Sequence, residues 1–230
     1  MLRATRRGLG GFGSTGISGE GLGTSGYEAQ VMAIDQYFMR GVLEIAKLSD
    51  CVRGCPKDEE GKYMYDEYGH LVGQKRRFGC IIARGLSVVA SGFNCQYPGA
   101  DKCAEVGCLR DTESIPSGQQ MERCRAIHAE QSAIISAARE GGIQGTTMYV
   151  NAEPCLYCAR MIAGLKSVGL ESLVILAGEY PNHGLDIVRN AGIEVRTVSL
   201  PEAPLLEMSE QLRVEGVTTD EMVEALSQLR

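Results

Sequence analysis

His128-Ala129-Glu130 and Pro154-Cys155-Leu156-Tyr157-Cys158 are the stretches of this chain whose residue types and spacing best suit chemistry. One imidazole and two thiolates form a ligand set suited to Zn²⁺, and three protein ligands leave a fourth position for water. Glu130 lies close to His128 without being a ligand itself, and it is the residue to carry protons to and from that water. Cys155 and Cys158 stand i and i+3, so on a helix both thiolates face the same way. The positive end of a helix also favours the thiolate form. Either half alone is a weak signal, because Cys-x-x-Cys also serves redox sites. A closed structural zinc site completed by a fourth Cys is the rival reading, and it leaves Glu130 without a purpose.

The elements that must position these residues can be read from apolar spacing. Val31, Ile34, Phe38, Val42, Ile45 and Leu48 recur at helical steps, predicting an amphipathic helix from Tyr27 to Leu48. Phe78 to Ala83 and Ser87 to Phe93 are short, apolar and partly β-branched, and read as a hairpin around Arg84-Gly85-Leu86. Ile127, Ile134, Ile135 and Ala138 predict a helix from His128 closed by Gly141-Gly142. Thr146 to Val150 is a strand, Cys155 to Lys166 a helix with Met161, Ile162 and Leu165 inward, and Leu173 to Leu176 a buried strand. Leu185 to Ala191 and Gly192 to Arg196 add a last helix and strand. Strands alternating with helices imply an α/β protein with parallel pairing and helices on both faces of the sheet.

The remaining segments are less regular. Residues 1–26 are Gly-rich with few large apolar side chains, and read as a flexible arm. The main domain then runs over 27–200. Val52 to Arg77, polar and rich in Tyr, is taken as a surface insertion, a solvated decoration or a lid. Asn94 to Glu122 carries Gly and Pro punctuation without a sustained period and reads as a loop long enough to need a staple. A tail over 201–230 has a capping-box pattern at Thr218 and Glu221 ahead of an apolar helical stripe.

Composition narrows the function classes. At 230 residues and 44% hydrophobic content the chain can bury a full core. A net charge of -6 argues against coating nucleic acid, which needs a basic face. Nine cysteines, an odd number with several at metal-ligand spacings, fit reduced thiols and a cytoplasmic setting. No apolar run approaches the roughly 20 residues of a membrane span.

His-x-Glu followed by Pro-Cys-x-x-Cys is the signature of zinc deaminases of nucleobases. In that chemistry water attacks C4 of a cytosine-like ring, or C6 of adenine, while Glu130 passes protons to the ring nitrogen and the leaving ammonia. The Ala129 backbone N–H is placed to hold the amide edge of the base. Beyond the zinc motifs the sequence resembles the deoxycytidylate (dCMP) deaminase family, in its bacterial, archaeal and phage branches. The resemblance runs through Ser91-Gly92-Phe93-Asn94, Glu105 to Arg110, Ile115-Pro116-Ser117-Gly118, Cys124 to Gln131, Met148-Tyr149-Val150 and Asn190 to Val195. It implies hydrolysis of dCMP to dUMP and ammonia and a three-layer α/β/α cytidine-deaminase-like fold with a central mixed sheet of about five strands. It also implies a homo-oligomer, usually a hexamer, with dCTP and dTTP as effectors and Mg²⁺ accompanying the effector nucleotide. By the same resemblance Asn94 binds the deoxyribose or base edge, Tyr180 packs on the pyrimidine, and Arg139 falls at a position linked to the effector. An exposed helix arginine is the plainer account of Arg139. Cys51, Cys103, Cys108 and Cys124 fall where relatives hold a second, structural zinc, with Cys55 a rival ligand.

Three departures stand out. Leu48 occupies the place of the family's phosphate-binding arginine, Cys95 replaces a glycine, and the insertion after Val52 interrupts a normally continuous segment. Arg53, Lys75, Arg76 and Arg77 are candidates to restore the lost charge. The rival readings are a deaminase of dCTP or a modified cytosine nucleotide, a nucleic-acid deaminase, and a catalytically silent regulatory protein.

Overall fold

The computed structural model describes residues 24–139, 142–178 and 184–201. Its frame is a five-stranded sheet built from β1 (Gly79–Arg84), β2 (Ser87–Phe93), β5 (Thr146–Val150), β6 (Leu170–Leu176) and β7 (Glu194–Val198). The spatial order is β2-β1-β5-β6-β7. The β1–β2 hairpin joins β5 antiparallel, whereas β5, β6 and β7 run parallel, so the sheet is mixed and parallel pairing is confined to one half.

The central strands read as nearly continuous apolar runs because both of their faces are covered. Alternate residues divide between two cores, as the two-residue period of a strand requires. Cys80, Ile82, Met148, Val150, Leu173 and Ile175 face one core. Ile81, Ala83, Tyr149 and Val174 face the other. The first core is closed by α4 (Ala129–Arg139), α5 (Leu156–Gly164) and α6 (Leu185–Asn190). The second is closed by α1 (Thr24–Ala46), whose Phe38 ring stacks on Tyr149 at 4.9 Å. Buried Asp35 of α1 accepts two hydrogen bonds from Arg196 on β7, at 2.8 and 2.9 Å, fixing the helix against the sheet edge.

Several sequence expectations change in detail. The α1 stripe is right through Ile45, but the helix stops at Ala46, and Leu48 lies beyond it, 62% exposed. On α4 the inward residues are Ala129, Glu130, Ala133 and Ala137, while Ile135 and Ala138 point outward. On α5 Cys158, Ala159 and Ile162 are buried and Met161 is exposed. The long 94–122 segment contains strand β3 (Cys95–Gln96), two single-turn helices, α2 (Cys103–Val106) and α3 (Leu109–Thr112), and a 3-10 turn at Met121–Arg123. Strand β4 (Ala126–Ile127) pairs antiparallel with β3.

The insertion after Val52 is more than a solvated decoration. Asp58 and Asp66 each accept backbone N–H groups two and four residues on, folding two successive turns. The root of the segment is buried, because Val52 and Leu71 pack with Cys103 and Cys108 in a small core of their own. The expected tail and its Thr218 cap lie outside the described residues, as do all but the last residues of the N-terminal arm.

Candidate metal centre

Two helix starts converge on the site. His128 immediately precedes α4, and its backbone N–H donates to Gln131 Oε1 at 2.9 Å, half of a capping box with His in place of the usual Ser or Thr. The β3–β4 ladder fixes the approach of the chain to His128. Cys155 is the N-cap residue of α5 and Cys158 sits in its first turn, with Pro154 stiffening the entry.

The three ligand candidates meet. His128 Nδ1 lies 3.5 Å from Cys155 Sγ and 3.4 Å from Cys158 Sγ. Donors arranged tetrahedrally at about 2.0–2.3 Å from one zinc ion stand roughly 3.5–3.8 Å apart, so the spacing fits without rearrangement. Among the described residues this is the only set of three such donors with all ligand atoms within 4.8 Å of one another. The donor chemistry, one imidazole and two sulfurs, suits zinc and not a hard cation.

The three candidate ligands are electrostatically coupled. The Cys155 thiol is drawn down to about 4, because the Cys158 thiol and the His128 ring stabilise its thiolate. Cys158 is pushed up in turn, by its hydrogen bond to Cys155 and by burial. Burial pulls His128 down, but the Cys155 hydrogen bond and the Glu130 charge outweigh it and raise the ring. Glu130 is 6% exposed, and burial raises its carboxyl above the ordinary range. A buried carboxyl shifted upward by desolvation suits general acid–base work.

These groups open on one cavity. His128, Ala129, Glu130, Cys155 and Asn94 all line it. Asn94 is committed to the scaffold on both sides of its amide, with Oδ1 accepting from Phe78 N at 2.9 Å and Nδ2 donating to Arg76 O at 3.1 Å. Tyr180 lies outside the described residues, and Arg139 is exposed in the last turn of α4.

The other cysteine group is drawn together more loosely. Burial pushes the Cys51 thiol up to about 12, and the thiols of Cys124, Cys108 and Cys103 add to the rise. Burial raises Cys103 to about 11, with Cys108 and Cys124 contributing. Cys55 interacts with Cys108, and its sulfur faces the Cys51 carbonyl at 3.9 Å, so it stands beside the group of four. Arg110, 4% exposed on the cavity wall, does not stand out in the sequence, where a charged residue in an irregular segment reads as solvated.

Comparison with known proteins agrees with this geometry. Residues 63–174 match the family described as the cytidine and deoxycytidylate deaminase zinc-binding region. The deoxycytidylate deaminase of Enterobacteria phage T4 is 48% identical over 170 residues, covering 57% of this chain and 86% of that protein. The deoxycytidylate deaminase of Schizosaccharomyces pombe is 30% identical over 169 residues, covering 73% of this chain and 45% of that protein. The chain therefore spans about half the length of the yeast relatives it matches, 45% of this protein and 47% of the one from Saccharomyces cerevisiae. Among solved structures, the dCMP deaminase of cyanophage S-TIM5 in complex with dCMP and dUMP has a TM-score of 0.50 at 19% identity, covering 72% of this chain and 97% of that one. That likeness is one of fold. The geometry of the motifs and the phage relative together lead to one conclusion: the chain belongs to the cytidine and deoxycytidylate deaminase family.

Proposed function

We propose that this protein deaminates dCMP hydrolytically, giving dUMP and ammonia and so supplying thymidylate synthesis. The observation that carries the reading is the His128, Cys155 and Cys158 donor set, two of whose members line one cavity together with the buried Glu130. A zinc ion held by those three residues would supply a water whose pKa is lowered to about 7. Glu130 takes a proton from the attacking water and delivers it to N3 of the cytosine as C4 becomes tetrahedral. It then carries a proton to the departing amine, which leaves as ammonia. The Ala129 backbone and Asn94 border the space for the base and sugar.

Ammonia release from dCMP, dCTP, deoxycytidine and single-stranded DNA, with zinc content measured in parallel, tests the reading. Turnover of dCMP well above the other substrates is expected. Failure of all four with zinc present would leave a catalytically silent protein. A dCTP deaminase is the second reading, and the four arginines on the cavity wall favour it, being more charge than one monophosphate demands.

The finer points belong to the same proposal. Cys51, Cys103, Cys108 and Cys124 would hold a structural zinc that staples the 94–122 segment to the end of α1, adding folding energy. Their mutual interaction and the burial of Cys103 and Cys108 with Val52 and Leu71 support this. Cys108→Ser should lower zinc by one equivalent and cost about 3 kcal/mol, roughly 10 °C in Tm for a chain of this size. Unchanged zinc stoichiometry would remove the second site. The proposal extends to a cytoplasmic hexamer whose dCTP or dTTP effector, with Mg²⁺, engages Arg139. None of the described helices is long and apolar enough to cross a membrane.

A further inference from the structure

The cavity wall beyond the zinc ligands concentrates positive charge. Arg53, Arg76, Arg110 and Arg125 line it, against the carboxylates of Glu130 and Glu153. Leu48, just before Ser49, is exposed and away from the cavity. Of the other basic candidates, Arg77 is turned toward Gln74 and the Leu71 carbonyl, and neither it nor Lys75 lines the space.

Arg53 and Arg110 differ from ordinary surface arginines. They are 8% and 4% exposed, and a buried guanidinium is costly unless its N–H groups and its charge are met. Part of that demand is met by the rim of the cavity. Arg53 Nη2 donates to the Ile115 carbonyl, and Arg110 Nη2 donates to the Pro116 and Gln119 carbonyls at 3.2 and 2.7 Å. Carbonyls satisfy N–H groups but carry no net charge. Arg53 also has the Asp111 carboxylate 3.5 Å from its Nε, but that carboxylate is 41% exposed and its strength is screened. Arg53 Nη1 and Arg110 Nε are buried and meet no protein acceptor. Two buried guanidiniums on one cavity wall, each with an N–H group to spare, make a site suited to an anion.

We propose that Arg53 and Arg110 hold the 5′-phosphate of the substrate. The inference rests on the reading of this chain as a cytosine-nucleotide deaminase, because the same cavity carries the zinc ligands and Glu130. Sequence neighbours reinforce the assignment of position. Arg53 directly follows Val52 and Arg110 stands two residues after Cys108, both buried in the same small core, so both guanidiniums spring from an anchored backbone.

The test uses the full-length, zinc-loaded protein. The ratio of kcat/KM for dCMP to kcat/KM for deoxycytidine is measured for the parent, Arg53→Gln and Arg110→Gln. Each substitution should lower that ratio by about 100-fold, the loss expected for a desolvated charge-assisted pair. Arg53→Lys and Arg110→Lys keep the charge but lose the fork, and should fall between; they decide the matter if a Gln variant fails to fold. An unchanged ratio, or equal losses on both substrates, assigns the two arginines to holding the rim and overturns the proposal. If the parent turns over no substrate, the deaminase reading fails, and calorimetric Kd values for dUMP and deoxyuridine still judge the subsite. A preference for dUMP that is lost in the variants upholds it, whereas equal affinities for the two overturn it.

Discussion

Glu130→Gln should abolish turnover, with kcat falling by about 10³-fold or more, while zinc content and nucleotide binding stay close to the parent. General acid–base transfer by a positioned carboxyl contributes about 10² to 10⁴ in rate, and in the proposed reaction one carboxyl serves both the attack of water and the departure of ammonia. Glutamine keeps the volume and the hydrogen-bonding shape of the buried side chain but cannot accept and return a proton. The stability change has a definite sign. Burial raises the folded-state pKa of Glu130 above its ordinary value of 4.5, so the folded protein binds that proton more tightly than the unfolded chain does. Its contribution to stability therefore falls as pH rises through and above that ordinary value. The neutral amide carries no such penalty, and the variant should melt no lower than the parent at neutral pH. Metal analysis, a melting curve and single-turnover deamination read these outcomes separately. A kcat within a few-fold of the parent would remove Glu130 from proton transfer.

Gly92→Val should be among the most damaging substitutions outside the ligands. Gly92 lies on β2 directly beneath α4, where even a Cβ would collide with Ala133 N and would stand 2.6 Å from Ala129 O and 2.8 Å from the Ser132 carbonyl carbon. All of these are backbone atoms, so no rotamer change relieves the clash and the helix itself must lift. A cost of about 3 kcal/mol or more is expected, lowering Tm by roughly 10 °C. Because α4 begins at the site, a shift of about 1 Å would also cost surviving molecules on the order of 100-fold in rate. Gly92→Ala should show the same pair of effects in reduced form. A variant with parental Tm and activity would mean that the contact between β2 and α4 is looser than the structure has it.

That contact also explains what can and cannot be read from the amino-acid order. The strands declare themselves because central strands covered on both faces must be continuously apolar, and the site residues declare themselves because His128 with Glu130, and Cys155 with Cys158, are each local to one helix start. The phase of α4 differs from the one its apolar spacing suggests. Ile135 and Ala138 promise an inward stripe, but a helix lying on a glycine can turn only small side chains toward the sheet, so Ala129, Ala133 and Ala137 are buried and Ile135 faces out. Met161 on α5 follows the same logic, being exposed beside buried Cys158 and Ala159. The cavity arginines are hidden for a different reason. Arg110 sits in a segment with no period to reveal its burial, and its role depends on the Ile115 to Gln119 rim, which meets it only in three dimensions.

The insertion that follows α1 roots itself in the same knot of sulfurs from which Arg53 and Arg110 project. Affinity at the anionic end of the ligand and the cohesion of that knot are thereby thermodynamically reciprocal. Whatever tightens the knot pre-sets the spread between two cations, and an occupied anion seat returns the favour as resistance to local unfolding. A segment that looks like an ornament on the outline of the molecule thus sets how firmly the far end of the ligand is gripped, without touching the ring where bonds change.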